Sequence, residues 1–273
     1  MPDSAPNRLR GWLTPPIPLT PGTVDAPRDR RSVHIELWIA LAVTFGLAGV
    51  VSALDLANAL LAATPLNKQQ VPINAPHSVL SVLDLLFQLA NVAQLLAWGT
   101  LGLYLLWRAG IRPALVGLDR DRLRSDLLGG VGLAALIGAA GLPFYLGARA
   151  LGFNASVAPS TLTDTWWRIP ELVLAAVANA WAEETVVVGY LISRLRQLGW
   201  RENRSLLASA VLRGSYHLYQ GFGQFVGNLV MGLVFGRVWQ RTNRLWALIT
   251  AHAILDIASF LGYALLARHL SWL

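Results

Sequence analysis

The stretch Pro170–Leu191 reads PELVLAAVANAWAEETVVVGYL. Past its first turn it is apolar or small almost throughout, apart from the adjacent pair Glu183 and Glu184. Its 22 residues, at about 1.5 Å each in an α-helix, reach across a bilayer core of roughly 30 Å. An ionisable side chain at that depth costs about 2.5–3.5 kcal/mol. Two neighbouring carboxylates therefore have to face a protein interior rather than lipid. The stretch is a membrane helix inside a bundle, and the question is what the glutamates do there.

The rest of the chain agrees. It has 273 residues, 55% hydrophobic and 14% charged, with a mean hydropathy of +0.49. A soluble domain carries about 25% charged residues. The sequence predicts an all-α, polytopic transmembrane bundle of about seven spans, with seven to eight as the range. Expected spans lie near 34–54, 79–107, 127–146, 170–191, 205–219, 222–238 and 245–266. An eighth would come from a short or re-entrant segment in 50–80. There is no cysteine, so disulfide, thiolate and Cys-ligated metal chemistry are excluded.

Residues 1–31 are polar, Pro-rich and end in the basic cluster Arg28, Arg30 and Arg31. They lack the apolar core and cleavage site of a signal peptide and read as a disordered cytoplasmic arm. Residues 32–273 form the transmembrane domain. With the N-terminus inside and the spans alternating, inner segments hold 17 of the 22 basic residues, as the positive-inside rule requires. The net charge of +7 is thus explained by basic loops, and no nucleic-acid partner is expected. Arg outnumbers Lys 21 to 1, a composition that suggests a bacterial cytoplasmic membrane.

Ionisable residues gather in the C-terminal half: Glu183, Glu184, Arg213, His217, His252 and Asp256. Successive Glu183 and Glu184 point about 100° apart on a helix. One can face a cavity while the other turns to a neighbouring helix and a cation. Arg213 and His217 are spaced i, i+4, as are His252 and Asp256, so each pair shares a face. Three chemistries fit: water activation by a glutamate with His support, a metal site of two His and carboxylates, or a proton relay in a transporter. The H-E-x-x-H zinc signature is absent. A zinc site through His217, His252 and Glu183 stays possible on spacing. Gln220, Gln224 and Asn228 recur at four-residue intervals and either line a cavity or bridge helices. His217 lies roughly 9 Å deeper than His252 if both helices are straight, so the fifth segment should be short, tilted or broken.

EETVVVGYLISRLRQLG from Glu183, SAVLRGSYHLYQGFGQFVGNLVMGLVFGRV from Ser209 and LWALITAHAILDI from Leu245 resemble the three motifs of the CPBP family. These are the CAAX-prenyl-endopeptidase and bacteriocin-processing-like (Abi) intramembrane proteases. The resemblance covers about residues 165–262. It implies a glutamic-type intramembrane endopeptidase with no required cofactor or metal, acting on a membrane-associated peptide or protein. Carried over, Glu183 activates water, His217 assists or orients it, and His252 with Asp256 sits on the oxyanion side. Glu184 belongs to the same catalytic set.

Two positions depart from the family pattern. Val188 stands where an Arg follows the second Glu, and Arg213 stands where an aromatic precedes the His. The expectation is an exchange in which Arg213 supplies, from another helix, the cation that neutralises Glu184. Asp256 either carries a proton or orients His252, since an ionised Asp cannot donate to an oxyanion. Two other functions fit less of the chain. One is a catalytically inactive relative in immunity or scaffolding, which the two departures would suit. The other is a proton-coupled transporter, which should show inverted halves, whereas here the chemistry occupies only the C-terminal half.

Overall fold

The computed structural model describes residues 22–158 and 166–266. Most of the proposed arm therefore lies outside the described residues. Its basic end does not: helix α1 spans Pro27–Ala42, so Arg28, Arg30 and Arg31 are helical rather than part of a disordered segment. Pro27 opens the helix with its φ already set, and Asp29 places negative charge in the first turn.

The expected first span is a bent pair. Helix α2 (Phe45–Leu61) leaves α1 at an angle of 50°. The break falls at Thr44, whose hydroxyl donates to the Ala40 carbonyl at 2.7 Å. Helices α3 (Ser81–Arg108) and α4 (Leu123–Ala150) follow. Helix α5 (Arg168–Glu183) runs through a π-helical segment, Glu184–Tyr190, into α6 (Leu191–Gln197). Helices α7 (Glu202–Ser215), α8 (Phe222–Thr242) and α9 (Leu245–Leu266) complete the bundle. Strands β1 (Gln70–Pro72) and β2 (Ser156–Ala158) pair in parallel, Val71 opposite Val157. They join two loops at one end of the bundle and carry no hydrophobic alternation that the sequence could have signalled.

The protein is an all-α integral membrane bundle. Among the described residues, four helices are long and apolar enough to cross a membrane: α3, α4, the continuous α5–α6 run and α9; the bent α1–α2 pair makes a fifth. The expected fifth and sixth spans do not reach that standard. Helix α7 has 14 residues, about 21 Å, too short for the hydrocarbon core. Helix α8 is long enough, but Gln224, Asn228, Arg237 and Gln240 interrupt its apolar run. The two pack as an antiparallel hairpin, Gly232 against Ala210 and Gly236 against Leu206. Outside, Trp38, Leu54, Leu86 and Leu136 project away from the protein, as a lipid-facing surface requires.

The α5–α6 run is central. Of its apolar window 72% is buried, against 11% for α4. Val186, Val187, Val188, Tyr190 and Ile192 meet Phe235, Trp239, Leu245 and Leu248 in one core. The glutamates thus sit on the helix best shielded from lipid.

The basic segments collect at one end. Arg194 forks onto Glu36 of α1 with both nitrogens at 2.9 Å, Arg196 grips Glu202, and Arg30 donates to the Leu198 carbonyl. Arg244 holds Asp126 and Asp119 together, at 2.6 and 2.5 Å. Its hydrogen bonds hold the Asp119 carboxyl below its ordinary value of 3.8. A depressed carboxyl stabilises the fold fully above its unfolded value and ceases to do so as pH falls through the folded one. Thermal stability in detergent is therefore expected to fall below pH 3.8 more steeply in the wild type than in Asp119→Asn; parallel curves would show that Asp119 contributes nothing.

Candidate active site

The site forms where the α5 helix changes pitch. From Glu184 to Tyr190 the backbone is π-helical, a form that occurs mostly as single-turn insertions, often at functional sites. The segment is wholly buried, and Ser209 of α7 donates to the Val187 carbonyl at 2.7 Å. The neighbouring helix thereby satisfies a backbone acceptor within the irregular turn.

Around this turn the ionisable residues lie in two layers. Glu184, Arg213 and His252 form the inner one. Arg213 is fully buried and its Nη2 is 2.5 Å from Glu184 Oε1. His252 Nδ1 lies 2.7 Å from the same oxygen, within hydrogen-bond reach. The Arg213 guanidinium also lies over the Phe235 ring, 5.5 Å from its centroid.

The outer layer is Glu183 with Asn179, Tyr216, His217 and Asp256. Tyr216 donates its hydroxyl to Glu183 Oε2 at 2.6 Å. Asn179 Nδ2 donates to Glu183 Oε1 at 3.2 Å and to Asp256 Oδ2 at 2.9 Å. Arg213 Nη1 lies 3.7 Å from Glu183 Oε2, close enough for attraction but beyond hydrogen-bond reach. His252 Nε2 is 3.5 Å from Asp256 Oδ2, so that imidazole joins the layers. Asn179, His217 and Asp256 are half-buried whereas Glu184 and Arg213 are sealed. Glu183 is itself buried, 3% exposed, and its half-buried neighbours Asn179, His217 and Asp256 form the accessible edge of the site.

His217 reaches this level because α7 stops at Ser215. Tyr216 and His217 belong to the turn that follows, and a 3₁₀ turn covers Leu218–Gln220. The helix break removes the difference in depth that straight helices would impose. Two contacts fix the turn. Phe45 of α2 packs on the Tyr216 ring with centroids 4.9 Å apart, and Ser52 accepts from the Tyr219 amide at 2.6 Å. Gly221 closes it with φ +115°, bridged to Asn154. A Cβ there would meet the Phe153 carbonyl oxygen at 2.4 Å, so backbone conformation and close approach both require glycine.

Gln220, Gln224 and Asn228 do not reach the glutamates through any hydrogen bond. Gln220 donates to the Tyr219 hydroxyl at 2.7 Å, the Gln224 amide donates to Asn154, and Asn228 turns back onto the Gln224 carbonyl. They brace the turn and α8. A zinc set of His217, His252 and Glu183 does not fit this arrangement: His252 directs Nδ1 to Glu184 and Nε2 toward Asp256. Among the described residues no three His, Asp or Glu side chains are placed to hold a metal ion.

Residues 165–258 match the family model described as type II CAAX prenyl endopeptidase Rce1-like. This stretch is similar to Rce1-like proteins. The match agrees with the resemblance to CPBP proteases and spans all three motifs, from Glu183 to Asp256. It supports a peptide hydrolase of the CAAX-protease type. No curated protein and no solved structure matches the chain. Within the Rce1-like stretch, sequence reasoning did not single out Asn179 and Tyr216. Each stood beside a chosen residue, Asn179 one helical turn before Glu183 and Tyr216 next to His217, and that adjacency was the available signal. Tyr216→Phe removes one hydrogen bond to a carboxylate, worth about 1.5–3 kcal/mol. The expected result is a roughly ten- to hundredfold slower cleavage, measured on a peptide the wild type cuts; an unchanged rate would confine Tyr216 to packing.

Proposed function

We propose that the protein is an intramembrane endopeptidase in which Glu183 activates the water that attacks a peptide carbonyl. The observation that carries this reading is the contrast between the two glutamates. Glu184 is spent on Arg213 and His252, whereas Glu183, though buried, adjoins the half-buried Asn179 and has its oxygens steadied by the neutral donors Asn179 and Tyr216. A carboxylate so placed can take a proton from water and return it to the leaving amine.

His217, on the turn facing Glu183, orients the water. His252 stands on the side where charge develops on the carbonyl oxygen, and electrostatic stabilisation there is commonly a large part of catalysis. Asp256, four residues on, orients His252 rather than donating itself. Arg213 takes the part of the cation absent at Val188, holding Glu184 and through it the His252 ring. The chemistry needs no metal. The substrate is a membrane-associated peptide or protein, and the chain sits in a bacterial cytoplasmic membrane with its basic end inside.

The test is cleavage of a broad peptide library by the purified protein in detergent, read by mass spectrometry, with Glu183→Ala as control. Cleavage by the wild type alone, resistant to chelators, is expected. Equal traces from both proteins would leave an inactive relative, and chelator sensitivity would return the chemistry to a metal.

A further inference from the structure

We infer that Asn179 is a positioning residue that ties Glu183 of α5 to Asp256 of α9 through a single side-chain amide. The inference rests on the endopeptidase reading for its catalytic consequence but not for the contact itself. Asn179 lies four residues before Glu183, so the two share a helix face. Its Nδ2 is 3.2 Å from Glu183 Oε1 and 2.9 Å from Asp256 Oδ2. An amide nitrogen carries two hydrogens, and here each has a carboxylate to bind. The orientation follows from the chemistry: turned the other way, the amide oxygen would face two carboxylates that can only accept.

The position explains how two carboxylates from different helices can share one neighbour in a largely buried membrane site. Like charges at close range repel, more strongly at the low dielectric of a protein interior than in water. A shared neutral donor offsets that repulsion and fixes the spacing. Glu183 is then held from both sides, by Asn179 on Oε1 and Tyr216 on Oε2. The other group within reach of Asp256 Oδ2 is His252 Nε2, at the longer distance of 3.5 Å. The Asn179 amide thus links the α5 helix to α9 within the site, between residues 77 apart in sequence. Neither Asn179 nor the amide bridge belongs to the three motifs that carry the resemblance.

The inference makes a claim that packing alone does not: the pair should work with its members exchanged. Asn179→Asp puts a third carboxylate beside Glu183 and Asp256. Its cleavage is expected to slow about a hundredfold, the cost of misplacing reacting groups by an ångström, mainly in kcat, and its melting temperature in detergent should fall. Asn179→Asp with Asp256→Asn restores an amide–carboxylate pair between the two helices with the ends reversed. It should recover the melting temperature and part of kcat. Asn179→Leu keeps the volume without the donor and should lose kcat with KM little changed. Full activity in Asn179→Leu, or an exchanged double variant no more stable than Asn179→Asp, would overturn the inference. Should the wild type cleave nothing beyond Glu183→Ala, the endopeptidase reading fails, and recovery of the melting temperature still decides the bridge.

Discussion

Glu183→Ala is expected to abolish peptide cleavage while leaving the protein folded. A general base contributes about 10²- to 10⁴-fold to rate, so loss of the carboxylate should drop cleavage to background. Stability should respond much less. Glu183 gives up hydrogen bonds from Asn179 and Tyr216, but Asn179 keeps Asp256 and Arg213 keeps Glu184, so no charged group loses its main partner. The melting temperature in detergent and the rate on a cleaved peptide should therefore separate cleanly. Glu183→Gln, nearly isosteric, should be equally inactive and closer to wild type in stability. Residual cleavage within tenfold of wild type in either variant would remove Glu183 from the role of base.

Arg213→Phe should behave in the opposite way, failing first in folding. Arg213 and Glu184 are both fully buried, 2.5 Å apart. Breaking such a pair by removing one partner costs about 3–5 kcal/mol, because the remaining charge is left without compensation. That is a large share of the roughly 5–15 kcal/mol that holds a typical protein folded. His252 would still face Glu184 but would have to meet its charge alone. Poor yield and a strongly lowered melting temperature are expected. Adding Val188→Arg places a guanidinium four residues along from Glu184, and stability should return in the double variant. Two outcomes would refute the exchange of cations between helices: a single variant as stable as wild type, or a double variant no better than the single.

Much of this site was legible from local spacing. Glu183 and Glu184 stood out because charge inside an apolar run demands a partner, and the i, i+4 spacing of His252 and Asp256 placed both on one face. Arg213 could be matched to Glu184 only through the family resemblance, whose pattern places at Val188 an arginine that this chain lacks. The π-helical turn was not legible. Nothing in ETVVVGY distinguishes it from an ordinary helix, since the extra residue is accommodated by tertiary partners such as Ser209, 22 residues away from Val187. The bend at Thr44 was hidden for a related reason: a threonine inside an apolar run can as readily lie in a straight helix. The length of α7 was misread because its apolar pattern continues through Tyr216–Tyr219, where Phe45, Ser52 and Asn154 hold the chain in a turn. Asn179 was passed over because its value depends on Asp256, which only the fold brings beside it.

The separation of Glu184 from its counter-ion also bears on how the chain enters the membrane. An arginine on the same helix would let each segment partition into lipid already neutralised. Here α5 and its continuation carry both glutamates while α7 carries the arginine, and each buried charge alone is penalised by about 2.5–3.5 kcal/mol. Neither segment is well suited to leave the translocon alone. Meeting before release to the bilayer would spare both segments that penalty, so the ion pair favours joint insertion of the two helices.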